Sequence, residues 1–145
     1  MADQNVRTFD PKQVIITFGP VIITGFAEGT FITIVQSGPS FEKVKGADGS
    51  INRINKNAND HTATMTLQET SISNDALSTI HIADKLSNTG KLPLTVTDLS
   101  GTSKFFAPQA WITQPPDAEK ADVLSTREWA FDTGIAAHFI GGNNV

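Results

Sequence analysis

The sequence predicts a mainly β fold, a β-sandwich or partly closed barrel with one flanking α-helix. Three observations carry this prediction. Apolar runs of strand length recur along the chain, each bounded by Gly, Pro, Asn or Ser. His61 to Thr70 alternates packing side chains with small polar ones. One stretch alone, Ser73 to Leu86, has convincing helical spacing. The chain has 145 residues, which fits one domain (1–145) with a real core, and no internal repeat or linker divides it.

Residues 1–13 read as an N-terminal arm that ends at the turn-starting pair Asp10-Pro11. Val14 to Phe18 is a strand, Gly19-Pro20 breaks it, and Val21 to Phe26 and Thr30 to Gln36 follow as strands. These three runs are apolar on both faces. Either a neighbouring molecule covers the second face, or the strands lie mid-sandwich with a helix behind them. Phe41 to Val44 begins another strand. Residues 45–60 then read as a long hairpin or projecting loop around the tight-turn pair Asp48-Gly49. Its anchors are Ile51 and Ile54.

In His61 to Thr70, Ala63, Met65 and Leu67 form a packing face, and Thr62, Thr64, Thr66 and Gln68 form a neutral, hydroxyl-rich one. Such a face suits the wall of a conduit, although Thr is also simply a good strand former. The helix, residues 73–87, is expected to be capped by Ser73, with Asp75 at its positive end. Leu77 and Ile80 begin one apolar stripe, and Ile82 and Leu86 form a second. Ser87, Asn88 and Gly90 stop it, with Gly90 expected in a left-handed conformation. The helix reads as a plug against a sheet, with a second apolar side open to a neighbour.

Leu92 to Leu99 alternates Leu92, Leu94 and Val96 against Pro93, Thr95 and Thr97, and Ser100-Gly101 turns the chain. Lys104 to Ile112 places Phe105, Ala107, Gln109 and Trp111 on one side. Pro108 cannot donate to a ladder, so this strand is either at an edge or bulged. After Pro115-Pro116, residues 117–125 are extended or form one helical turn. Thr126 to Asp132 is a strand with Trp129 and Phe131 inward, and Ile135 to Ile140 is the last strand before a flexible glycine-rich end, residues 141–144.

Composition limits the function. Charged residues make up 18%, below the roughly 25% of ordinary soluble domains. A surface poor in charge suits a chain covered by copies of itself, although an ordinary β domain has the same composition. The net charge of −4 opposes a surface that grips phosphates, but not one that nucleic acid slides past. No cysteine is present, so neither disulfides nor thiolate metal sites are available. No apolar run reaches the roughly 20 residues a membrane span needs, so no membrane insertion is expected. The polar start is not that of a signal peptide.

The three histidines, His61, His81 and His138, are scattered without metal-ligand spacing. His81 reads as a core or interface residue. Nucleophile motifs are missing. The carboxylate pairs Asp117/Glu119 and Glu128/Asp132 read as solvated faces. The expectation is therefore no enzyme, no cofactor and no metal. Lys43, Lys45, Arg53 and Lys56 form a modest basic cluster without interleaved aromatics. It is either a solvated loop or a source of salt bridges to a neighbouring subunit.

Several segments together resemble one family. FDPKQVIITFG, ITGFAEGTFITI, TLQETSISNDALSTIH, FFAPQAWITQPPD, REWAFDTG and FIGGN, spread from Phe9 to Asn143, resemble tube proteins of contractile bacteriophage tails. The helix entry T-S-x-S-N-D-x-L and the strand R-E-W-x-F-D-T-G are the most specific parts. The resemblance implies a barrel flanked by a helix, assembled into hexameric rings that stack as a hollow tube inside a sheath. Type six secretion tubes and tail-like bacteriocins share that design. Each subunit would lend about four strands to a continuous bore-lining barrel without open edges.

The implied partners are copies of the chain, the tail sheath, baseplate and terminator proteins, and genomic DNA passing through unbound. The implied location is the virion tail, assembled in the bacterial host cytoplasm. On this reading Lys45, Asp48, Gly49, Ile51, Arg53, Ile54 and Lys56 belong to a ring-stacking loop, and Thr62, Thr64, Thr66 and Gln68 face the bore. The bore is expected to carry more carboxylates than cations. The alternatives are a non-repeating tail, baseplate or terminator component, and a monomeric β-barrel that binds a small ligand.

Overall fold

The computed structural model describes residue 6 and residues 9–142. Most of the expected arm and part of the expected glycine-rich end therefore lie outside the described residues. The strands are β1 (Val14–Phe18), β2 (Val21–Ile23), β3 (Ile32–Gln36), β4 (Phe41–Lys45), β5 (Ile51–Asn55) and β6 (Asp60–Gln68). After the helix α1 (Ser73–Ser87) come β7 (Leu92–Asp98), β8 (Lys104–Gln114), β9 (Thr126–Ile135) and β10 (Ala137–Phe139). Residues 11–13 form a 3₁₀ turn that Asp10 caps by accepting from the Lys12 amide at 3.0 Å.

One sheet runs β2-β1-β7-β8-β9-β6-β3, and β10 continues past a break at Ala136 to pair with β8. The ends of this sheet meet. The segment after β2 lies along β6: Phe26 bridges Leu67, the Ala27 amide donates to Thr66 O at 3.1 Å, and the Gln68 amide donates to Gly25 O at 2.8 Å. The sheet is thus rolled into a partly closed barrel, as alternation and strand length predict.

Alternate residues fill its interior. Ile16, Phe18, Met65, Leu67, Leu94, Phe131 and Leu77 of α1 are fully buried, and Phe105 and Trp129 nearly so. Each such side chain contributes about 2 kcal/mol by leaving water. Phe18 and Phe131, on strands that are not neighbours, meet edge to face at 5.1 Å between ring centres.

Several expectations change. Ser73 does not cap α1; it is the first helical residue, and its hydroxyl accepts from the Thr24 amide at 3.0 Å. Ile72 takes the capping position without a side-chain bond, and the Ser71 hydroxyl before it accepts from the Ser73 amide at 3.2 Å. Gly25 makes this junction possible: its φ is +76°, and a Cβ there would lie 2.6 Å from Ser71 Cβ. At the other end Asn88, not Gly90, turns left-handed, with φ 57°. The Gly90 amide donates to Asp84 Oδ1 at 2.9 Å.

Pro108 marks a bulge rather than an edge, because β8 has neighbours on both sides. Leu94 pairs Ala107 but Leu92 pairs Ala110, so one extra residue enters β8. Ala110 and Ile112 therefore face the core, and Gln109 and Trp111 do not. The strand expected at Ile135 to Ile140 is shorter, since Ile135 ends β9. Residues 117–125 form no regular element.

Candidate assembly surfaces

Residues 45–60 resolve as the second half of a hairpin. β4 and β5 form a separate two-stranded sheet, and every strand residue is exposed. Its turn closes through the Gly46 amide on Ser50 O at 2.7 Å and the Ser50 amide on Asp48 Oδ1 at 3.0 Å. Gly49 supplies the φ of +89° that the turn requires.

Directly paired residues share a face, so one face holds Phe41, Lys43, Lys45, Ile51, Arg53 and Asn55. Arg53 lies 4.1 Å over the Phe41 ring, so pairing puts an aromatic on the basic face that the linear reading lacked. The opposite face holds Val44, Ile54 and the Glu42–Lys56 ion pair at 3.2 Å. The sequence-derived residues Lys45, Asp48, Gly49, Ile51, Arg53, Ile54 and Lys56 thus come together on one projection, split between its two faces and turn.

Thr62, Thr64, Thr66 and Gln68 lie on the face of β6 turned away from the core. They pair with Asp132, Ala130, Glu128 and Thr126 of β9, and β3 adds Val35 and Thr33 beside Thr62 and Thr64. The Thr62 hydroxyl donates to Asp132 Oδ1 at 3.1 Å. This three-strand wall carries three carboxylates, Asp60, Glu128 and Asp132, and no cation.

At the Gln68 end of β6 lies a cleft of about 290 Å³ lined by Gln114, Pro115, Pro116, Asp117, Glu119, Thr126, Glu128 and Ala130. The sequence pairs Asp117 with Glu119 and Glu128 with Asp132 as separate solvated faces. Only the packing of residues 115–119 against β9 gathers Asp117, Glu119 and Glu128. Two nearby cations are already engaged: Arg127 and Lys120 contact Glu69 Oε1 at 2.9 and 3.2 Å. The Ser125 amide donates to Glu69 Oε2 at 3.1 Å. That amide first, then Lys120 and Arg127, hold the Glu69 carboxyl below its ordinary pKa.

Apolar surface is also open elsewhere on the barrel and helix. A groove of about 540 Å³ runs between Pro11, Ile15, Ile22, Phe26 and Phe31. On α1, Ile82 and Leu86 are 55% and 82% exposed, so the second stripe faces outward as its spacing predicts.

At the start of β6, His61, His138 and Phe105 stack edge to face with ring centres 5.3 to 5.6 Å apart. Burial first, then the neighbouring His61, pushes the His138 pKa down. His61 and His81 each bury an Nδ1 without a partner among the described residues.

No family model matches the sequence. A relative, "Structural protein ORF10" of Pseudomonas phage KPP10, is 28% identical over 144 residues, covering 94% of this chain and 83% of that protein. The fold matches the tube-terminating cap of the anti-feeding prophage with a TM-score of 0.64 at 11% identity, over 96% of this chain and 94% of the other. A chain of the sheath-tube complex of an extracellular contractile injection system, PVC, matches at 0.61 and 10% identity, over 91% of both. A chain of the native gene transfer agent virion matches at 0.59 and 12% identity, over 92% of this chain and all of the other. The chain thus shares its fold with tube-cap and tube-complex proteins of contractile injection systems, and its sequence relative is a bacteriophage structural protein.

Proposed function

We propose that this chain is a non-enzymatic structural subunit of a virion tail that assembles with itself into stacked hexameric rings, forming the inner tube through which DNA leaves. The β4–β5 hairpin is the observation that carries this reading. A two-stranded hairpin exposed on both faces is marginal in water. Here it projects with Phe41, Val44, Ile51 and Ile54 all 40% exposed or more. A second copy is the natural cover. The exposed Ile15 and Ile22 call for the same cover on the barrel itself.

The β3–β6–β9 wall fits a bore: its groups are neutral or anionic, so they add no phosphate grip. Six-fold rings rest on the family resemblance. Sheath, baseplate and terminator proteins complete the assembly, which takes place in the host cytoplasm.

A second reading is a cap or terminator that forms one ring and stops. The likeness to the tube-terminating cap and to a chain of the PVC sheath/tube terminator structure favours it. A third, a monomer that binds a small apolar ligand, has the 540 Å³ groove in its favour.

Negative-stain imaging of concentrated purified protein separates the three: tubes, lone rings, or dispersed monomers. A matching variant replaces residues 41–55 by a short glycine turn, since the Lys56 amide already meets Ser40 O at 2.9 Å. It is expected to fold and not to polymerise. Normal tubes from it would remove the hairpin from the account.

A further inference from the structure

The hairpin's basic face is under electrostatic stress within its own chain. Lys43 and Arg53 are directly paired across the strands, and Lys45 lies on the same face. Like charges placed so are destabilising. None of the three has an ion-pair partner among the described residues, and Glu42, the hairpin's carboxylate in β4, is held by Lys56 on the opposite face.

The cleft has the reverse arrangement. Asp117, Glu119 and Glu128 line it without an ion-pair partner among the described residues. Lys120 and Arg127, the cations nearest in sequence, are drawn to Glu69.

The two surfaces sit at opposite ends of the barrel. The hairpin's root is at the start of β6, where the Ser37 amide donates to Asp60 O at 3.1 Å and the Ala136 amide to Asn59 O at 2.9 Å. The cleft is at the other end, where Gln68 pairs Thr126. The nine residues of β6 separate them by about 26 Å. A hairpin rooted at one end and pointing away cannot reach the cleft of its own chain.

We infer that the Lys43/Lys45/Arg53 face of one copy seats in the Asp117/Glu119/Glu128 cleft of a second copy. This rests on the stacked reading above and gives it a polarity. The contact is head to tail, so it does not close on itself and propagates along the direction of β6. Three cations meet three carboxylates. Phe41, clamped under Arg53, holds that guanidinium in place before docking and lowers the ordering cost.

Charge reversal in a single chain tests this. Lys43→Glu with Arg53→Glu reverses the hairpin, and Asp117→Lys with Glu119→Lys reverses the cleft. All four positions are exposed, so circular dichroism is expected to show an unchanged fold. Each reversed pair is expected to raise the critical concentration for sedimentable polymer about tenfold or more. All four changes in one chain are expected to bring it back to within about threefold of the starting protein.

Either reversed pair assembling normally overturns the inference while leaving stacked rings intact. So does a fourfold variant as defective as the pairs, because the hairpin's partner is then elsewhere. If the hairpin reversal leaves assembly untouched but abolishes retention of duplex DNA, the basic face is a nucleic-acid contact and the inference is wrong. An unaltered protein that never polymerises removes the stacked reading, and this inference with it.

Discussion

The indole Nε1 of Trp129 donates to Asn74 Oδ1 at 2.9 Å, joining the centre of β9 to the first turn of α1. Trp129 is 1% exposed, so no water can replace that acceptor. The Asn74 amide also donates to Gln68 O at 3.0 Å and Ser71 O at 3.1 Å, so one side chain fastens helix, β6 and β9. Asn74→Leu strands the indole N–H, while Gln68 O and Ser71 O keep the backbone amides of Ser71 and Asn74 at 3.0 and 3.2 Å. Its expected cost is about 1–3 kcal/mol in urea unfolding. A change below about 0.5 kcal/mol, the size of an ordinary surface substitution, would show that the bond does not anchor the helix.

Acid below the ordinary carboxylate range is expected to loosen the cleft. Glu69 has a lowered pKa because the Ser125 amide, then Lys120 and Arg127, favour its charged form. Its contribution is complete above the ordinary carboxylate value near 4.5 and is lost as pH falls from there through the folded value. Amide exchange in residues 119–127 is expected to rise over that window, with the rise shifted or absent in Glu69→Gln. Identical acid profiles for both proteins would contradict this role.

The histidine cluster gives a second, higher window. His138 is pushed down from 6.5 by burial and by His61, so the folded state resists its protonation. Stability is held above about pH 6.5 and falls as pH drops through the folded value, because the unfolded chain takes up the proton first. The groups facing it are His61 and Phe105. His138→Phe is expected to flatten the unfolding midpoint between pH 7 and 5, and an unchanged slope would place the titrating group elsewhere.

The barrel was legible where one face is buried. In β6 the period of two alone separates Ala63, Met65 and Leu67 from Thr62, Thr64 and Thr66, because a one-residue slip would bury every threonine. The outward stripe of Ile82 and Leu86 was legible for the same reason, with a helical period. The bulge at Pro108 was half legible: proline forbids a ladder bond, but only the pairing of β8 with both β7 and β9 shows that the strand is internal, and only the register of Leu92 and Leu94 shows the bulge. The helix start was not legible to one residue because capping is a matter of geometry: Ser73 is already helical, Ile72 precedes it without a side-chain bond, and the Ser73 amide goes to Ser71 Oγ. The acidic cleft was not legible, since Asp117, Glu119 and Glu128 are brought together by an irregular segment without periodicity.

The wall can be probed chemically, because the chain has no cysteine. A Thr64→Cys variant keeps a small side chain at the centre of the β3–β6–β9 face, and cysteine at the exposed Leu86 of α1 serves as the control. In assembled protein, position 64 is expected to react with a small maleimide but not with one carried on a large polymer, whereas position 86 without sheath reacts with both. Equal reaction of both positions with the large reagent would put the threonine wall outside.

The most direct test is an electron-microscopy reconstruction of the polymer formed by the purified protein. The account predicts a hollow stack of rings in which Thr62, Thr64, Thr66 and Gln68 line the bore and β4–β5 of each subunit reaches the next ring. A reconstruction with those four residues on the outer surface, or with the hairpin touching no other subunit, would contradict it.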